Sequence, residues 1–468
     1  MFGVRDEDVV IHFIGMGGIG MSGIAEILHS LGYTIQGSDL RHSQHLERLE
    51  RLGITAFIGH DKANVEHADI VVYSSAIRQD NPELLRAGEL KIPRLTRAEM
   101  LSQIVRLKKS IVVSGSHGKT TVTSICAAIL EMAALDPTVI NGGVINSYKT
   151  NAKLGDGTWA VVESDESDGS FVQLFPTIGI ITNIDNEHVN HYCSLANLKK
   201  AFGSFLTNLP FYGTGIACID DPNVAEIIEG ITDRNIVTYS IRKEAMVRAI
   251  NIRKDKDGSL FDVKFEDDVL MDVYIPLLGN HNILNALSAI AMSRKLLIDT
   301  DIVRKTLASF TGVHRRFTIL GDVDGITFVD DYAHHPTEIR ALIGAAQQKT
   351  SGKIVIICQP HRFTRLNILF NEFCTCFDGA DTVILTPVYK ADDAETSNIT
   401  SQNLYEALVT AGKNAFLVNE QDEIAHILGD LMNNGTLHKG DIVLFAGAGH
   451  ISRWAHDIYS RNSINTKV

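Results

Sequence analysis

A glycine-rich turn at residues 114–121 carries the residue types best suited to phosphate chemistry. It reads Ser-Gly-Ser-His-Gly-Lys-Thr-Thr, follows an apolar run and opens a segment with a helical pattern. A buried strand, a glycine turn and a helix N-terminus in this order direct backbone amides and the positive end of the helix dipole toward an anion. Lys119 adds a full charge, and the hydroxyl of Thr120 can ligate a metal ion that bridges phosphates. The turn therefore predicts a nucleotide phosphate site, in a shortened loop whose glycines are Gly115 and Gly118.

A second glycine-rich turn, at residues 15–20, reads Gly-Met-Gly-Gly-Ile-Gly between a predicted strand and a predicted helix. Asp39 follows the next predicted strand, which spans residues 33–36. A G-x-G-x-x-G turn with an acidic residue about 20 positions later is typical of dinucleotide binding. The pattern requires only a diphosphate and a ribose hydroxyl, so a nucleoside diphosphate sugar would fit as well as a nicotinamide cofactor.

Polar clusters follow two further apolar strands, at residues 163–168 and 183–188. Ligands of parallel α/β sheets bind beyond the carboxyl ends of the strands, where the phosphate turn also lies. Glu163 and a neutral His188 could complete the shell of a magnesium ion bound to Thr120, although imidazole is the less suitable ligand for a hard ion. A third cluster, residues 280–282, opens a helix and would serve either as caps or as partners for the polar edge of an adenine.

The last third of the chain repeats the pattern of polar residues at strand ends. A strand at residues 326–329 ends in an acidic pair followed by Tyr332, and a strand at residues 353–358 ends in a segment that contains His361, Arg362 and Arg365. Two arginines at this spacing could clamp a carboxylate or a phosphate.

The elements that must position these residues alternate between strands and helices along the whole chain, which predicts an α/β fold with parallel sheets. With 468 residues, and about 150 residues per domain as a guide, three domains are expected. The net charge of −13 argues against nonspecific binding to nucleic acid or to anionic membranes. No signal peptide, membrane span, disulfide framework or zinc site is expected, and the six scattered cysteines suit a cytoplasmic protein with reduced thiols.

Taken together, these motifs resemble those of the Mur ligases, the ATP-dependent amide ligases of peptidoglycan precursor synthesis. The resemblance extends from about His12 to Trp454 and rests on the order of the motifs as much as on each motif. Its carriers are residues 12–21, 115–121, 163–168, 183–188, 279–282, 330–338 and 359–365.

The resemblance implies three domains: a Rossmann-like domain for the UDP substrate at residues 1–107, a central P-loop-type ATPase domain at 108–313 and a Rossmann-like domain for the amino acid at 314–468. It further implies a cytoplasmic enzyme of cell wall biogenesis that joins L-alanine to the lactyl carboxylate of UDP-N-acetylmuramate. ATP and Mg²⁺ would be required, and ADP and phosphate would form through an acyl phosphate. A homodimer is compatible with the resemblance.

The resemblance also assigns residues to roles. The catalytic residues would be Lys119, Glu163 and His188, and the magnesium ligands Thr120, Glu163 and His188. ATP would contact Gly115, Ser116, His117, Gly118, Lys119, Thr120, Thr121, Asn280, His281, Asn282, Arg316 and Asp331. The UDP part would contact Gly17, Gly18, Ile19, Gly20 and Asp39, and L-alanine would lie near Tyr332, His361, Arg362 and Arg365.

Three positions depart from the family pattern. Ser116 replaces a commoner threonine, and Asn190 replaces an aspartate after His188, so that one charge is lost. Gly203 stands where several relatives carry a carbamylated lysine, which leaves open how a second magnesium ion would be held.

Three alternatives compete with this interpretation. A nicotinamide oxidoreductase would leave the turn at residues 115–121 without a role. A non-enzymatic nucleotide-dependent module would not explain the polar clusters at the strand ends. A sibling ligase that attaches a whole tripeptide to the same UDP-sugar is the nearest alternative, but its N-terminal turn departs from the run at residues 15–21.

Overall fold

The computed structural model describes residues 9–74, 76–187, 189–391, 393 and 399–465. Two compact units divide the chain. The first comprises the chain up to Ile252 with Phe261–Ile275 and Asn282–Gly312, and the second comprises Arg253–Leu260, Pro276–His281 and the chain from Val313. The described residues form three sheets of five, ten and six strands. The first sheet and most of the second belong to the first unit, and the third sheet belongs to the second unit.

The first sheet is entirely parallel, with the strand order β3-β2-β1-β4-β5. Its elements are β1 Val10–Ile14, α1 Ile19–Ser30, β2 Thr34–Asp39, α2 Gln44–Arg51, β3 Thr55–Ile58, a 3-10 turn at Lys62–Val65, β4 Ile70–Tyr73, α3 Pro82–Glu89, β5 Arg94–Thr96 and α4 Arg97–Arg106. The chain winds outward in both directions from β1. The turn after β1 therefore opens into the crevice in which such sheets bind ligands.

Strand β2 runs three residues beyond its predicted end at residue 36. Gly37 and Ser38 continue the parallel ladder opposite Phe13 and Ile14. A Cβ at Gly37 would come within 2.5 Å of the Phe13 carbonyl oxygen, so glycine here permits the close approach of the strand rather than ending it.

A buried polar network crosses the first sheet around Glu83, which is fully buried in α3. Its carboxylate accepts hydrogen bonds from Ser38 Oγ (2.6 Å) and Asn64 Nδ2 (2.6 Å). The imidazoles of His12 and His60 lie 3.5 and 3.3 Å from the same carboxylate. Burial alone would raise the pKa of Glu83, but the hydrogen bonds from His12, Ser38 and Asn64 outweigh it and lower the pKa.

The second sheet has the order β15-β14-β13-β12-β11-β10-β6-β9-β7-β8. Its strands and helices are β6 Lys109–Ser114, α5 Lys119–Met132, β7 Thr138–Ile145, β8 Thr150–Lys153, β9 Trp159–Glu163, β10 Ile178–Ile181, α6 Val189–Tyr192, α7 Leu195–Thr207, β11 Thr214–Cys218, α8 Pro222–Glu229, β12 Asn235–Ser240, β13 Val247–Lys254, β14 Ser259–Lys264, β15 Val269–Ile275, α9 Asn280–Lys295 and α10 Thr300–Ala308, with a 3-10 turn at Ser170–Gln173. Strand β6 pairs in parallel with β10 on one side and β9 on the other. The carboxyl ends of these three strands therefore meet, as the sequence predicts.

The third sheet has the order β16-β17-β21-β18-β19-β20 and is parallel except for the antiparallel pair β16–β17. Its elements are β16 Thr318–Val323, β17 Ile326–Asp331, α11 Pro336–Lys349, β18 Ile354–Cys358, α12 Phe363–Ile368, α13 Phe370–Thr375, β19 Thr382–Leu385, α14 Ser401–Thr410, β20 Ala415–Leu417, α15 Gln421–Asn433, β21 Ile442–Ala446 and α16 Ile451–Asn465. The α/β class with parallel strands in all three sheets is confirmed.

Side-chain caps mark the starts of helices α4 and α11. A capping box of Thr96 and Glu99 opens α4, with Thr96 Oγ1 accepting from the Glu99 amide at 3.2 Å. Helix α11 begins at Pro336, and His335 caps it through its ring nitrogen. The six cysteines are free thiols. None of the helices in the described ranges is both long and apolar enough to cross a membrane.

Candidate active site

The phosphate turn needs glycine at two positions. Gly115 has φ +133°, and a Cβ there would come within 2.1 Å of Thr182 Oγ1. Gly118, the N-cap of α5, has φ +84°, and a Cβ there would meet Asn285 Oδ1 at 2.7 Å. Both residues combine a left-handed backbone with a close neighbour, so any side chain would displace the turn. The turn therefore keeps its amides at the N-terminus of α5, where they can meet phosphate.

The turn is held from the end of β10 by Asn183. Its side chain accepts from the His117 amide at 2.8 Å and donates to the His117 carbonyl at 3.0 Å. Its own carbonyl accepts from the Ser116 amide at 3.0 Å. Asp185 adds a contact of 2.9 Å to His117 Nε2, and its amide donates to Ser116 Oγ at 2.8 Å. The segment at residues 183–185 thus fixes the conformation of the turn.

Lys119 is held inside the turn by an acidic partner. Its Nζ donates to the carbonyls of Gly115 (2.5 Å) and Ser116 (3.1 Å) and to Glu166 Oε1 (2.9 Å). Glu166 is almost fully buried, at 1 % exposure. Burial would lower the pKa of Lys119, but the charges of Glu166 and Glu163 outweigh it and raise the pKa. The amine therefore remains protonated at neutral pH and is available as a charge for phosphate.

A hydroxyl and a carboxylate meet at the mouth of the turn. Thr120 Oγ1 donates to Glu163 Oε1 at 3.0 Å, and the Gly142 amide donates to Glu163 Oε2 at 2.6 Å. A Cβ at Gly142 would lie 2.6 Å from Glu163 Oε1, so a side chain at this position would shift the carboxylate. These hard oxygen donors are of the kind that Mg²⁺ prefers. Thr120 and Glu163 therefore fit a magnesium ion, and His188 lies outside the described residues.

The turn after β1, predicted as a diphosphate site, is held by contacts with β2 and with the start of α2. Gly15 has φ +83°, and its amide donates to the Ser38 carbonyl at 2.8 Å, which fixes the turn on β2. Asp39 Oδ2 accepts from the Gly17 amide at 2.8 Å. A Cβ at Gly17 would crowd both Asp39 and Ser43, at 2.9 Å from each side chain. Asp39 therefore also shapes the glycine turn, in addition to its predicted role at a ribose.

The amide cluster at residues 280–282 opens α9 as expected. Gly279 precedes it with φ +89°, and its amide donates to Gln348 Oε1 at 2.9 Å. One turn into the helix, Asn285 Nδ2 donates to Asn282 Oδ1 at 3.0 Å. Asn285 also lies against Gly118, so α9 reaches the phosphate turn through Asn285.

In the second unit, Asp331 fixes the turn that carries Arg316. Its carboxylate accepts from the amides of Phe317 (2.6 Å) and Ala333 (2.7 Å). Arg316 lies 5.5 Å above the centroid of the Tyr332 ring and 3.7 Å from Glu338 Oε1. Burial and the charge of this guanidinium lower the pKa of His281. Arg316, Asp331 and His281, all predicted for the nucleotide, are therefore neighbours within this unit.

The pKa of Asp331 predicts a pH-dependent stability. Burial raises it to about 6, against the charge of Arg316 and the two amides, which lower it. A raised carboxyl pKa contributes stability that is complete below the unfolded value near 4 and is lost as the pH rises through 6. Between pH 4 and 7 the free energy of unfolding of the wild type should therefore fall by up to about 3 kcal/mol relative to that of Asp331→Asn. The measurement is the thermal midpoint of both proteins across this pH range, and that of the wild type should fall relative to that of the variant. A difference in midpoints that does not change with pH would contradict this.

The residues predicted for L-alanine line the carboxyl ends of β17 and β18. Arg365 Nη1 donates to the His361 carbonyl at 3.1 Å, and the Arg362 amide, at φ +70°, donates to the Tyr389 carbonyl at 2.8 Å. The His361 ring stacks on Tyr389, with 5.5 Å between centroids. Arg365 is thus held on its own helix turn, and the two-arginine clamp stays a prediction.

Sequence reasoning missed several residues that hold the site together. The sequence places Glu166 in an acidic cluster without indicating its partner, and it does not separate Asn183 from the other polar residues at that strand end. The sequence shows Asn285 only as a polar residue on the predicted helix that follows residues 280–282, and it does not mark Gly142. The importance of both residues follows from close approaches between distant parts of the chain. The position of Asn183 directly after a buried strand was the one usable indication.

Comparisons with known proteins decide the family. Three family descriptions match in succession: "Mur ligase family, catalytic domain" over residues 10–109, "Mur ligase middle domain" over 113–293 and "Mur ligase, glutamate ligase domain" over 315–449. The chain belongs to the Mur ligase family. The resemblance inferred from the motifs is confirmed.

Individual Mur ligases match over almost the whole chain. The UDP-N-acetylmuramate–L-alanine ligase of Chelativorans sp. (strain BNC1) is 48 % identical over 454 residues, which is 96 % of this chain and 97 % of that protein. The crystal structure of the UDP-N-acetylmuramate–alanine ligase of Thermotoga maritima matches with a TM-score of 0.82 at 30 % identity, covering 97 % of this chain and 99 % of that one. A murein peptide ligase from Psychrobacter arcticus 273-4 shares the fold, with a TM-score of 0.70 at 22 % identity over 97 % of this chain and 98 % of that one.

Proposed function

We propose that this Mur ligase joins L-alanine to the lactyl carboxylate of UDP-N-acetylmuramate, with ATP converted to ADP and phosphate. The observation that carries the proposal is the presence of two glycine turns, after β1 and after β6, each at the start of a helix and both in one compact unit of a Mur ligase chain. One turn suits a nucleoside diphosphate sugar and the other suits ATP. The names of the relatives that match over 96 % of the chain support the choice of L-alanine and UDP-N-acetylmuramate.

The chemistry requires an activated acid, because a free carboxylate is a poor electrophile. Transfer of the γ-phosphoryl group of ATP to the carboxylate gives an acyl phosphate and ADP. The neutral α-amine of L-alanine attacks the acyl carbon, and the C–O bond to phosphate breaks as the amide forms. The amine loses a proton in this step, and inorganic phosphate leaves.

The protein contributes mainly position and charge to the first step. Lys119 and the amides at the start of α5 hold the phosphates and offset the negative charge that develops during transfer. Thr120 and Glu163, with His188, would hold a magnesium ion, which supplies charge neutralisation at the phosphates when bound. Asn183 keeps the turn in the conformation that presents these groups.

The remaining assignments follow the motifs. Asn280, His281 and Asn282 would meet the adenine, with Arg316 and Asp331 beside them. Tyr332, His361, Arg362 and Arg365 would receive L-alanine, and Gly17–Gly20 with Asp39 the uridine diphosphate. The domain limits near residues 107 and 313 and a cytoplasmic location, where ATP and UDP-sugars are available, belong to the same proposal.

Phosphate release measures the proposed reaction directly. The assay contains ATP, Mg²⁺ and UDP-N-acetylmuramate, and L-alanine is added or withheld. We expect release only when both the UDP-sugar and L-alanine are present, with one amide formed per phosphate. Release that requires a tripeptide instead would assign the chain to the sibling ligase, and no release with either acceptor would overturn the proposal.

A further inference from the structure

Arg97 lies between the two anion-binding turns. It is the first residue of α4, and the capping box of Thr96 and Glu99 fixes its backbone. Its side chain is 17 % exposed and extends to the start of α1. A Cβ at Gly20 would come within 3.1 Å of Arg97 Nη1. The guanidinium therefore packs directly on the last glycine of the turn at residues 15–20, here called the UDP turn.

The start of α1 already favours an anion. Gly18 is the N-cap, and among the described residues no side chain caps this end of the helix. The first amides of a helix without such a cap, together with the helix dipole, attract negative charge. The guanidinium of Arg97 adds a full positive charge beside these amides.

On its other side Arg97 is held by the segment that follows β9 of the second sheet. Nη2 donates to Asp165 Oδ2 at 3.0 Å. The next residue, Glu166, pairs with Lys119 at 2.8 Å. Two ion pairs, on the adjacent residues Asp165 and Glu166, therefore lie between the turn at residues 15–20 and the phosphate turn. Nη1 of Arg97 is the end that faces the turn at residues 15–20.

We propose that Arg97 binds an anionic oxygen of the UDP-sugar, with Asp165 positioning its guanidinium. The inference rests on the proposed function and adds a binding residue to it. The anionic oxygen belongs either to the diphosphate or to the lactyl carboxylate, since both are anions within one molecule and a guanidinium recognises both.

Binding measured by calorimetry without ATP tests the proposal. UDP-N-acetylmuramate is titrated into the wild type, into Arg97→Met and into Arg106→Met, which removes the same charge from the exposed end of α4. We expect Arg97→Met to bind about 10- to 100-fold more weakly and Arg106→Met to bind like the wild type. Equal affinity of Arg97→Met and the wild type would overturn the proposal.

UDP-N-acetylglucosamine, which lacks the lactyl carboxylate, identifies the oxygen. If Arg97 contacts the diphosphate, Arg97→Met weakens both ligands alike. If it contacts the carboxylate, only UDP-N-acetylmuramate is weakened. Failure of the wild type to bind either UDP-sugar would contradict the proposed function itself, and it is seen before any variant is compared.

Asp165→Asn separates binding from a structural role. It removes the negative charge of the pair, but the asparagine carbonyl can still accept from Nη2, so the guanidinium stays positioned without a competing carboxylate. We expect it to bind UDP-N-acetylmuramate at least as tightly as the wild type. A loss equal to that of Arg97→Met would show that only the ion pair matters and would overturn the proposal. Arg97→Lys keeps the charge but not the planar fork, so its affinity for UDP-N-acetylmuramate should lie between those of the wild type and Arg97→Met. It replaces Arg97→Met in the comparison if that variant does not fold.

Discussion

Replacing Lys119 by alanine is expected to lower kcat by at least about 10²–10³-fold, because the phosphate turn loses the full charge that is held within it. Asn183 holds the His117 and Ser116 backbone independently of the amine, so we expect the turn to keep its course in this variant. Phosphate release with saturating ATP, UDP-N-acetylmuramate and L-alanine measures the effect.

The same variant leaves Glu166 buried without its cation. Breaking a buried ion pair from one side is costly, and we expect a loss of about 3 kcal/mol in stability. The double variant Lys119→Ala/Glu166→Gln removes the orphaned charge, so it should recover most of the thermal stability and none of the turnover. Turnover close to that of the wild type in either variant would contradict the role given to Lys119.

Gly115→Ala is expected to abolish productive ATP binding. The left-handed backbone at φ +133° costs an alanine about 1–2 kcal/mol, and the new methyl group would lie 2.1 Å from Thr182 Oγ1. Thr182 Oγ1 donates to the His117 carbonyl at 2.6 Å, so the clash disrupts the contact that shapes the turn. We expect kcat/KM for ATP to fall by about 100-fold or more, with a lower thermal midpoint.

Gly429→Ala provides the matched control. Gly429 lies inside α15, and a Cβ there meets open space among the described residues. Alanine is the better helix former, so stability should rise by up to about 1 kcal/mol with kinetics unchanged. If both variants kept the ATP kinetics of the wild type, the steric account of the turn would be wrong.

The sequence predicted the positions of the site better than its internal contacts. The order strand, glycine turn, helix placed the phosphate turn, and the rule that parallel strands end at one edge brought Glu163 and Asn183 to it. These predictions depend on local patterns and on one general property of α/β sheets. The family assignment followed from the order of such motifs and is confirmed.

The pairing of residues far apart in the chain could not be predicted. Nothing local indicates that Glu166, rather than Glu163, holds Lys119, or that Arg97 reaches Asp165, 68 positions further along. The extra length of β2 and the role of His335 as a cap also depend on neighbours that are fixed only in the folded chain. The roles of the site residues toward ATP, magnesium and L-alanine stay predictions.

The carboxylate of Glu83 makes the first sheet cooperative. Its partners come from β1, β2 and the segment between β3 and β4, while Glu83 itself belongs to α3. If any of these elements detached, it would leave a charged group buried with too few hydrogen bonds, which is unfavourable by several kcal/mol. Partial opening at these elements is therefore disfavoured, and we expect β1, β2 and α3 to open together rather than one at a time.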